Sequence, residues 1–265
     1  MKLNFNKNLK ITIITVCFNS EKTIKLTLNS VLSQKFKNIE HIIIDGQSTD
    51  KTISITKKYS HIKKIISEPD DGIYDAMNKG IKIATGDIIG FLNSDDFFAN
   101  DNVLSRVAST FINNPNLQGC YADLIYTDKK DISKNIRYWK SSNFVSGLFS
   151  KGWCPPHTTF FVKRLIYEKF GNFNLSYSIA SDVELMMRFL EIEKIQVCYI
   201  PEVWIKMRNG GTTNKNLQNI LKQNMEVLNA LKSHNLFYNF FIFFVYKIFS
   251  RSLQFFKMKI LWKKF

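Results

Sequence analysis

Carboxylates in this sequence gather in short clusters placed directly after apolar runs. Asn93-Ser94-Asp95-Asp96 follows IIGFL at 88–92, Glu68-Pro69-Asp70-Asp71-Gly72 follows a run ending at Ser67, and Asp45 closes EHIIID at 40–45. Hard divalent cations such as Mg²⁺ and Mn²⁺ favour carboxylate oxygens and often take only one or two protein ligands. Asp95 and Asp96 meet that demand, and they equally suit the capping of a helix that begins near Asn100. The acids at 68–71 stand ahead of a second helical stretch, where negative charge is favoured at the positive helix end. Such a cap and a ligand contact are compatible, because the cap fixes the loop that would make the contact.

The elements around these clusters follow from periodicity. Residues 10–16 (KITIITV) and 40–45 are short, β-branched apolar runs that predict buried strands, and 62–67 and 88–92 read as two further strands. Helical spacing at 21–34, 49–59 and 73–84 separates them, and Gly86 is placed to cap the last of these helices. Strand and helix therefore alternate through the first hundred residues, which predicts an open, largely parallel α/β sheet wrapped by helices. Ligands of such sheets bind beyond the carboxyl ends of the strands. Asn19, Asp45, Glu68, Asp70, Asp95 and Asp96 all fall there, on one rim. Further on, strands are expected at 120–126, 135–139, 195–200 and 203–207, a helix at 181–190, and an exposed helix at 217–231. Trp153-Cys154-Pro155-Pro156-His157 reads as a loop, because paired prolines exclude helix and central strand.

Four segments in order, TVCFNSEKTI (15–24), IIIDGQSTDKT (42–52), SEPDDGIYDAMNKGI (67–81) and ATGDIIGFLNSDD (84–96), together resemble the family 2 glycosyltransferases of the GT-A (Rossmann-like) fold. The resemblance extends over roughly residues 9 to 212 and is nearest to the subset that builds bacterial surface polysaccharides. It implies a transfer of sugar from a nucleoside-diphosphate sugar, a UDP-sugar by preference, to a hydroxyl of a glycan or lipid-linked acceptor. It also implies that Thr15, Phe18, Asn19 and Glu21 line the nucleotide pocket, that Asp45 bonds the base, and that Asp70 contacts the donor.

Asn93-Ser94-Asp95 stands at the family's Asp-x-Asp element, so that Asp95 holds Mn²⁺ or Mg²⁺ and Asp96 lies beside the donor sugar or acceptor. Asn93 replaces the usual first Asp; its amide still accepts from a ribose hydroxyl but removes one negative charge near the cation. Ser181-Asp182-Val183-Glu184 resembles the family's late acidic motif, which makes Asp182 the base for the acceptor hydroxyl; the bare alternative is a helix cap. One base opposite a leaving diphosphate implies inversion. His157 falls at a segment near the acceptor cleft, and Arg208-Asn209-Gly210-Gly211-Thr212 is either a loop over the diphosphate or an ordinary turn. The Gln-x-x-Arg-Trp element of processive synthases is not found, which favours single additions.

The chain has 265 residues, is 45% apolar, and carries a net charge of +15, which calls for a polyanionic partner. The cysteines, Cys17, Cys120, Cys154 and Cys198, form no CxxC pair, so a reducing, cytoplasmic setting is expected, and the N-terminus lacks the core of a signal peptide. From Asn235 onward there are six cations, twelve aromatic residues and no acid. The apolar run 236–249 falls short of the ~20 residues that span a bilayer. As a helix from Val245, it would place Ile248, Phe249, Leu253, Phe256 and Ile260 opposite Lys247, Ser250, Arg251, Gln254 and Lys257. That pattern predicts a peripheral anchor on the anionic inner face of the cell membrane, or a helix packed on the catalytic domain or a second subunit.

The expected organisation is a catalytic domain at 1–213, with its donor half at 1–97 and acceptor half at 98–213, and a helical extension at 214–265. Two other classes compete. A nucleotidyltransferase would show a Gly-rich phosphate loop, which TVCFNSEKT is not. A non-enzymatic protein binding anionic membrane or nucleic acid leaves the acidic rim without a role, so no nucleic-acid partner is expected.

Overall fold

The computed structural model describes residues 9–210 and 217–261, with side chains described through 255. The first half alternates as the periodicity predicts: β1 (Ile11–Cys17), α1 (Ile24–Leu32), β2 (Ile39–Asp45), α2 (Thr52–Thr56), β3 (Ile62–Ser67), α3 (Ile73–Ile83) and β4 (Ile88–Phe91). The second half holds β5 (Phe97–Phe98), α4 (Val103–Asn113), β6 (Gly119–Thr127), β7 (Asn135–Trp139), β8 (Phe161–Lys163), α5 (Arg164–Phe170), α6 (Ser181–Met187), β9 (Val197–Arg208), α7 (Leu217–Ser233) and α8 (Phe240–Leu261). Short 3₁₀ turns lie at Phe149–Lys151 and His157–Thr159.

Among the described residues nine strands form one sheet in the order β3-β2-β1-β4-β8-β6-β9-β5, with β7 paired to β6. It is parallel through β3, β2, β1 and β4 and mixed beyond, since β8 runs antiparallel to both β4 and β6. The β4–β8 seam is tight because Gly90 has no side chain: a Cβ there would lie 2.3 Å from the Phe161 ring. Register brings Cys17, Asp45 and Ser67 level across β1, β2 and β3, so these strands end together and form a rim. Helices cover both faces. One core packs α3, α6 and α7 on Ile14, Ile42 and Ile44, and the other packs α4 on Ile11, Ile13 and Trp204.

Several local expectations need correction. Gly86 is not a helix cap. Its N–H donates to Thr12 Oγ1 at 2.9 Å, and a Cβ there would meet the Thr12 backbone nitrogen at 2.7 Å. The two short strands expected at 195–207 are one strand, β9, whose register against β6 shifts on either side of Asp123, opposite the stretch holding Pro201. A proline cannot donate to a ladder, and a bulge accommodates it. The helix that begins at Ser181 continues as a wider π turn over Arg188–Ile192. The helix at 217–231 is not an exposed one: Asn224, Val227, Leu228, Ala230 and Leu231 form a stripe that joins the core beside α6.

α8 begins at a cap, the Ile242 N–H donating to Asn239 Oδ1 at 3.0 Å. It is bolted to the domain by Phe243, which is 0% exposed, and no helix among the described residues is long and apolar enough to cross a membrane. Phe256, Lys257 and Ile260 lie outside the residues with described side chains.

Candidate active site

The loops that follow β1 and β2 are tied to one another by local side-chain bonds. Asp45 is fully buried; Ser48 donates to it through its hydroxyl (2.5 Å) and backbone N–H (2.9 Å), the Ser67 hydroxyl donates at 2.7 Å, and the Cys17 thiol points to it at 3.5 Å. Burial, then the Asp45 charge, pushes the Cys17 thiol far above its usual range. Asp45 therefore acts in this arrangement by holding the loop at 46–50. Asn19 turns into the left-handed region (φ 47°), with its N–H on Ser48 Oγ at 2.8 Å and its Oδ1 accepting from the Thr49 N–H at 2.9 Å. Glu21 accepts from the Lys51 N–H at 3.1 Å. Phe18 is 62% exposed at the mouth, whereas Thr15 is turned into the sheet, bonded to His41 Nε2 at 3.0 Å. Asp70 presses on bare Gly46, where a Cβ would come within 2.5 Å of its Oδ2, and its Oδ1 accepts from the Gly72 N–H.

The loop after β4 joins this network through Ser94, whose hydroxyl lies 2.8 Å from that of Ser20. Asn93, Asp95 and Asp96 then turn toward the end of β9, because β5 pairs with it at Phe97–Lys206. This pairing brings Arg208 to the two aspartates, more than a hundred residues away in sequence. Burial raises the Asp95 pKa, and the Arg208 charge works against it. Burial and then the neighbouring Asp95 charge raise Asp96 well above the carboxylate range, opposed by Arg208 and Asn93. Asp96 Oδ1, Asn93 Oδ1 and Arg208 Nε are buried without a hydrogen-bond partner. Unpartnered polar atoms in a desolvated site are costly, and here they sit together. A carboxylate whose neighbour's charge opposes its ionisation, beside a guanidinium whose Nε has no partner, suits a cation bound with a phosphate. No cluster of three or more metal-binding side chains exists among the described residues, so a cation held here would take its other ligands from substrate and water. Gly211 and Thr212 of the expected phosphate loop lie outside the described residues.

On the other side of the cleft, Asp182 opens α6. The Tyr74 hydroxyl of α3 lies 2.9 Å from Asp182 Oδ1 and 2.8 Å from the Ile179 carbonyl oxygen, donating across the two. Burial, then the Asp182 charge, keeps that phenol protonated. Tyr74 stacks on Phe173 (5.5 Å), and His157 lies flat on Phe91 (5.4 Å) with its edge to Phe173. Burial lowers the His157 pKa against the pull of Asp182, so the ring is neutral and packs as an aromatic wall.

The turn that carries Asp182 is held by Glu226 of α7, which accepts the N–H groups of Ser178, Ile179 and Ala180 at 3.2, 2.8 and 2.9 Å. Two buried carboxylates complete the support. Glu184 takes His234 and Arg188 at 2.8 and 3.0 Å, and Asp123 takes Tyr199 at 2.8 Å, the Ser141 N–H at 2.7 Å and the Tyr138 hydroxyl. Neither Glu226 nor Asp123 stands out by spacing. Tyr74, like Asp75 and Asn78, recurs at this helix in the family that the sequence resembles, which marks it as a mainly structural residue; here it bonds Asp182.

The sheet, parallel through β3, β2, β1 and β4 and mixed beyond, is of the GT-A type, and an acidic turn beside an arginine and a carboxylate opening a late helix lie at its cleft. The family profile of Glycosyl transferase family 2 matches residues 12–171, and the chain belongs to that family. It is 30% identical over 208 residues to a PGL/p-HBAD biosynthesis glycosyltransferase of Mycobacterium bovis, covering 77% of this chain and 78% of the relative. An uncharacterized glycosyltransferase of Mycobacterium tuberculosis is 32% identical over 186 residues, 67% of this chain and 68% of that one. Among solved structures, S. aureus TarS 1–349 superposes with a TM-score of 0.64 at 18% identity over 84% of this chain, which spans 65% of that structure. The same protein bound to UDP-GlcNAc gives 0.62 at 17% identity, over 85% of this chain and 73% of that one. The mannosyltransferase PcManGT of Pyrobaculum calidifontis, bound to GDP-Man and Mn²⁺, gives 0.61 at 17% identity over 83% of this chain and 64% of that one. At these identities the structural likeness establishes the fold.

Proposed function

We propose that this glycosyltransferase is metal-dependent and inverting, and moves a sugar from a nucleoside-diphosphate sugar to a hydroxyl of a glycan or lipid-linked acceptor in cell-surface polysaccharide biosynthesis. The observation that carries the reading is the group of unpartnered buried atoms on Asn93, Asp96 and Arg208 beside Asp95. A divalent cation bound through Asp95, with Asp96 beside it, would supply positive charge against the leaving diphosphate. Arg208 adds a donor for phosphate oxygens. Asp182 takes the acceptor hydroxyl proton as that oxygen bonds the anomeric carbon; the bond to the diphosphate breaks, and the nucleoside diphosphate leaves. Tyr74 holds the Asp182 carboxylate, and the His157–Phe173 wall keeps it partly dry. A uridine donor is favoured, in line with the TarS complex, and Phe18 is the side chain free to lie on the base.

Attachment to the inner face of the membrane through α8 belongs to the same proposal. Phe240, Phe241, Ile248, Phe249 and Leu253 are exposed, while Lys247, Arg251 and Gln254 are turned toward the domain. An exposed aromatic face of this kind suits the headgroup–acyl boundary.

Calorimetric titration of a nucleoside diphosphate panel, with and without Mn²⁺, tests the donor site against Asp95→Ala. Metal-dependent binding of one nucleotide is expected in the wild type and should weaken at least about tenfold in the variant. Folded wild-type protein that binds no nucleotide would refute the assignment.

A further inference from the structure

Besides Phe243, α8 turns its cations toward the domain. Arg137 of β7 is 8% exposed, donates through Nε to Gln254 at 2.7 Å, and lies 4.1 Å above the Tyr126 ring. Lys247 donates to Asn224 Oδ1 at 2.6 Å. The Arg251 charge reaches both and lowers the pKa of each, behind burial in both cases and behind the opposing influence of Tyr126 on Arg137 and of Cys154 on Lys247; Lys247 is brought down to about 8. The polar partners of Arg137 and Lys247 are neutral amides, and no carboxylate lies within ion-pair distance of any of the three among the described residues. Asp182 is within electrostatic range of Lys247 and of Cys154, while Asp96, Arg137, Arg251 and Cys154 are all within range of the Tyr126 hydroxyl. Lys247 thus lies within reach of the base, and Arg137 and Arg251 lie around a phenol that the acidic turn also reaches.

Arg251 thus adds a like charge to two cations that are themselves largely desolvated, Arg137 and Lys247, and with no carboxylate at ion-pair distance this opposes folding unless an anion answers it. The chain nevertheless brings α8 in closely. Bare Gly152 (φ 74°) leaves room for it, a Cβ there lying 3.3 Å from the Lys247 Cβ and from the Phe243 carbonyl oxygen, and the Ser150 hydroxyl donates to the Phe237 carbonyl at 2.7 Å.

We propose that Arg137, Lys247 and Arg251 form a phosphate subsite of the acceptor, so that the hydroxyl presented to Asp182 belongs to a phosphorylated molecule. The proposal rests on the transferase reading and narrows its acceptor class. The same chemistry is offered by a phospholipid headgroup or by a soluble phosphorylated acceptor. A headgroup is compatible with the apolar outer face of α8, which would bring the subsite to the level of lipid phosphates.

The test uses the full chain saturated with its nucleoside diphosphate and metal, so that the donor site is filled. Inorganic phosphate is titrated in, and separately the protein is sedimented with phosphatidylcholine vesicles with and without phosphatidic acid. Phosphate should bind the wild type. The Lys247→Gln/Arg251→Gln variant should bind it about ten- to a hundredfold more weakly while nucleotide binding persists, which also reports folding; Arg251→Lys should retain most of the affinity. Phosphatidic acid enhancing sedimentation through the same residues identifies the headgroup as the source, and phosphate binding without that enhancement identifies a soluble phosphate. Phosphate affinity equal in wild type and double variant, or no phosphate binding to nucleotide-loaded wild type, overturns the subsite. Loss of nucleotide binding in the wild type itself would strike the donor reading instead, and a phosphate affinity still dependent on Lys247 and Arg251 would support the subsite alone.

Discussion

The two sides of the cleft are built in different ways. On the donor side, Asp45, Asn19, Ser48 and Asp50 bond across loops that directly follow adjacent parallel strands, and partners lie within about one strand–helix unit of each other. On the acceptor side, Asp182 is fixed by Tyr74 from a helix more than a hundred residues earlier and by Glu226 from α7, while Arg137 meets Gln254 across 117 residues. The loops after β1 and β2 need only the parallel strand register to assemble, while the acidic turn after β4 also takes Arg208 from β9. The acceptor side needs the whole chain, because its parts converge only when α6, α7 and α8 dock.

Substitutions separate the two sides, and the acceptor side should show the largest effect. Asp182→Asn is expected to lower kcat by about 10²- to 10⁴-fold in a transfer assay, with nucleotide affinity unchanged. A retained kcat would move the base elsewhere. Glu226→Ala releases the three N–H groups that hold the Asp182 turn; kcat should fall about ten- to a hundredfold and stability by about 1–3 kcal/mol in urea titration. If stability falls alone, α7 supports the fold without positioning the base.

On the donor side, Phe18→Ala should raise the nucleotide Kd about tenfold, the scale of one stacked base, and leave the melting temperature unchanged. The smallest catalytic effect is expected far from both sides. Glu40 is buried, which disfavours its charge, yet hydrogen bonds from Thr12 and Thr85 and the Lys10 charge outweigh burial and lower its pKa from 4.5 to about 2. Its stabilisation is present above pH 4.5 and is lost as the pH falls through about 2. Glu40→Gln should leave activity at neutral pH intact and flatten the acid limb of the stability curve in that window; an unchanged limb would assign acid unfolding to other groups.

The parallel half was legible because its causes are local. The β-branched runs at 11–17 and 39–45 form buried strands, 62–67 forms the half-exposed edge strand beside them, and the polar residues that follow all three emerge at one edge. Asp95 and Asp96 stand out by the same logic, as acids at an element boundary, whereas Asp182 is singled out by the resemblance of its segment to the family's late acidic motif. Glu226, Asp123 and Arg137 carried no such mark, since nothing near them in sequence says which backbone amides, hydroxyls or rings they will meet. α7 was misjudged as exposed because a stripe as short as Val227, Leu228 and Leu231 gains its meaning only from the groove that receives it.

α8 shows the division most clearly. Its sequence determined an amphipathic helix, with aromatic residues on one side and cations on the other, because helical spacing sorts side chains onto faces whatever the surroundings. Which face turns inward was decided by the tertiary structure. Gly152 lets the helix approach closely, and Asn224 and Gln254 give the cations Lys247 and Arg137 neutral partners at the seam. The apolar face was thereby left outside, an outcome that the helix's own periodicity permits but cannot choose.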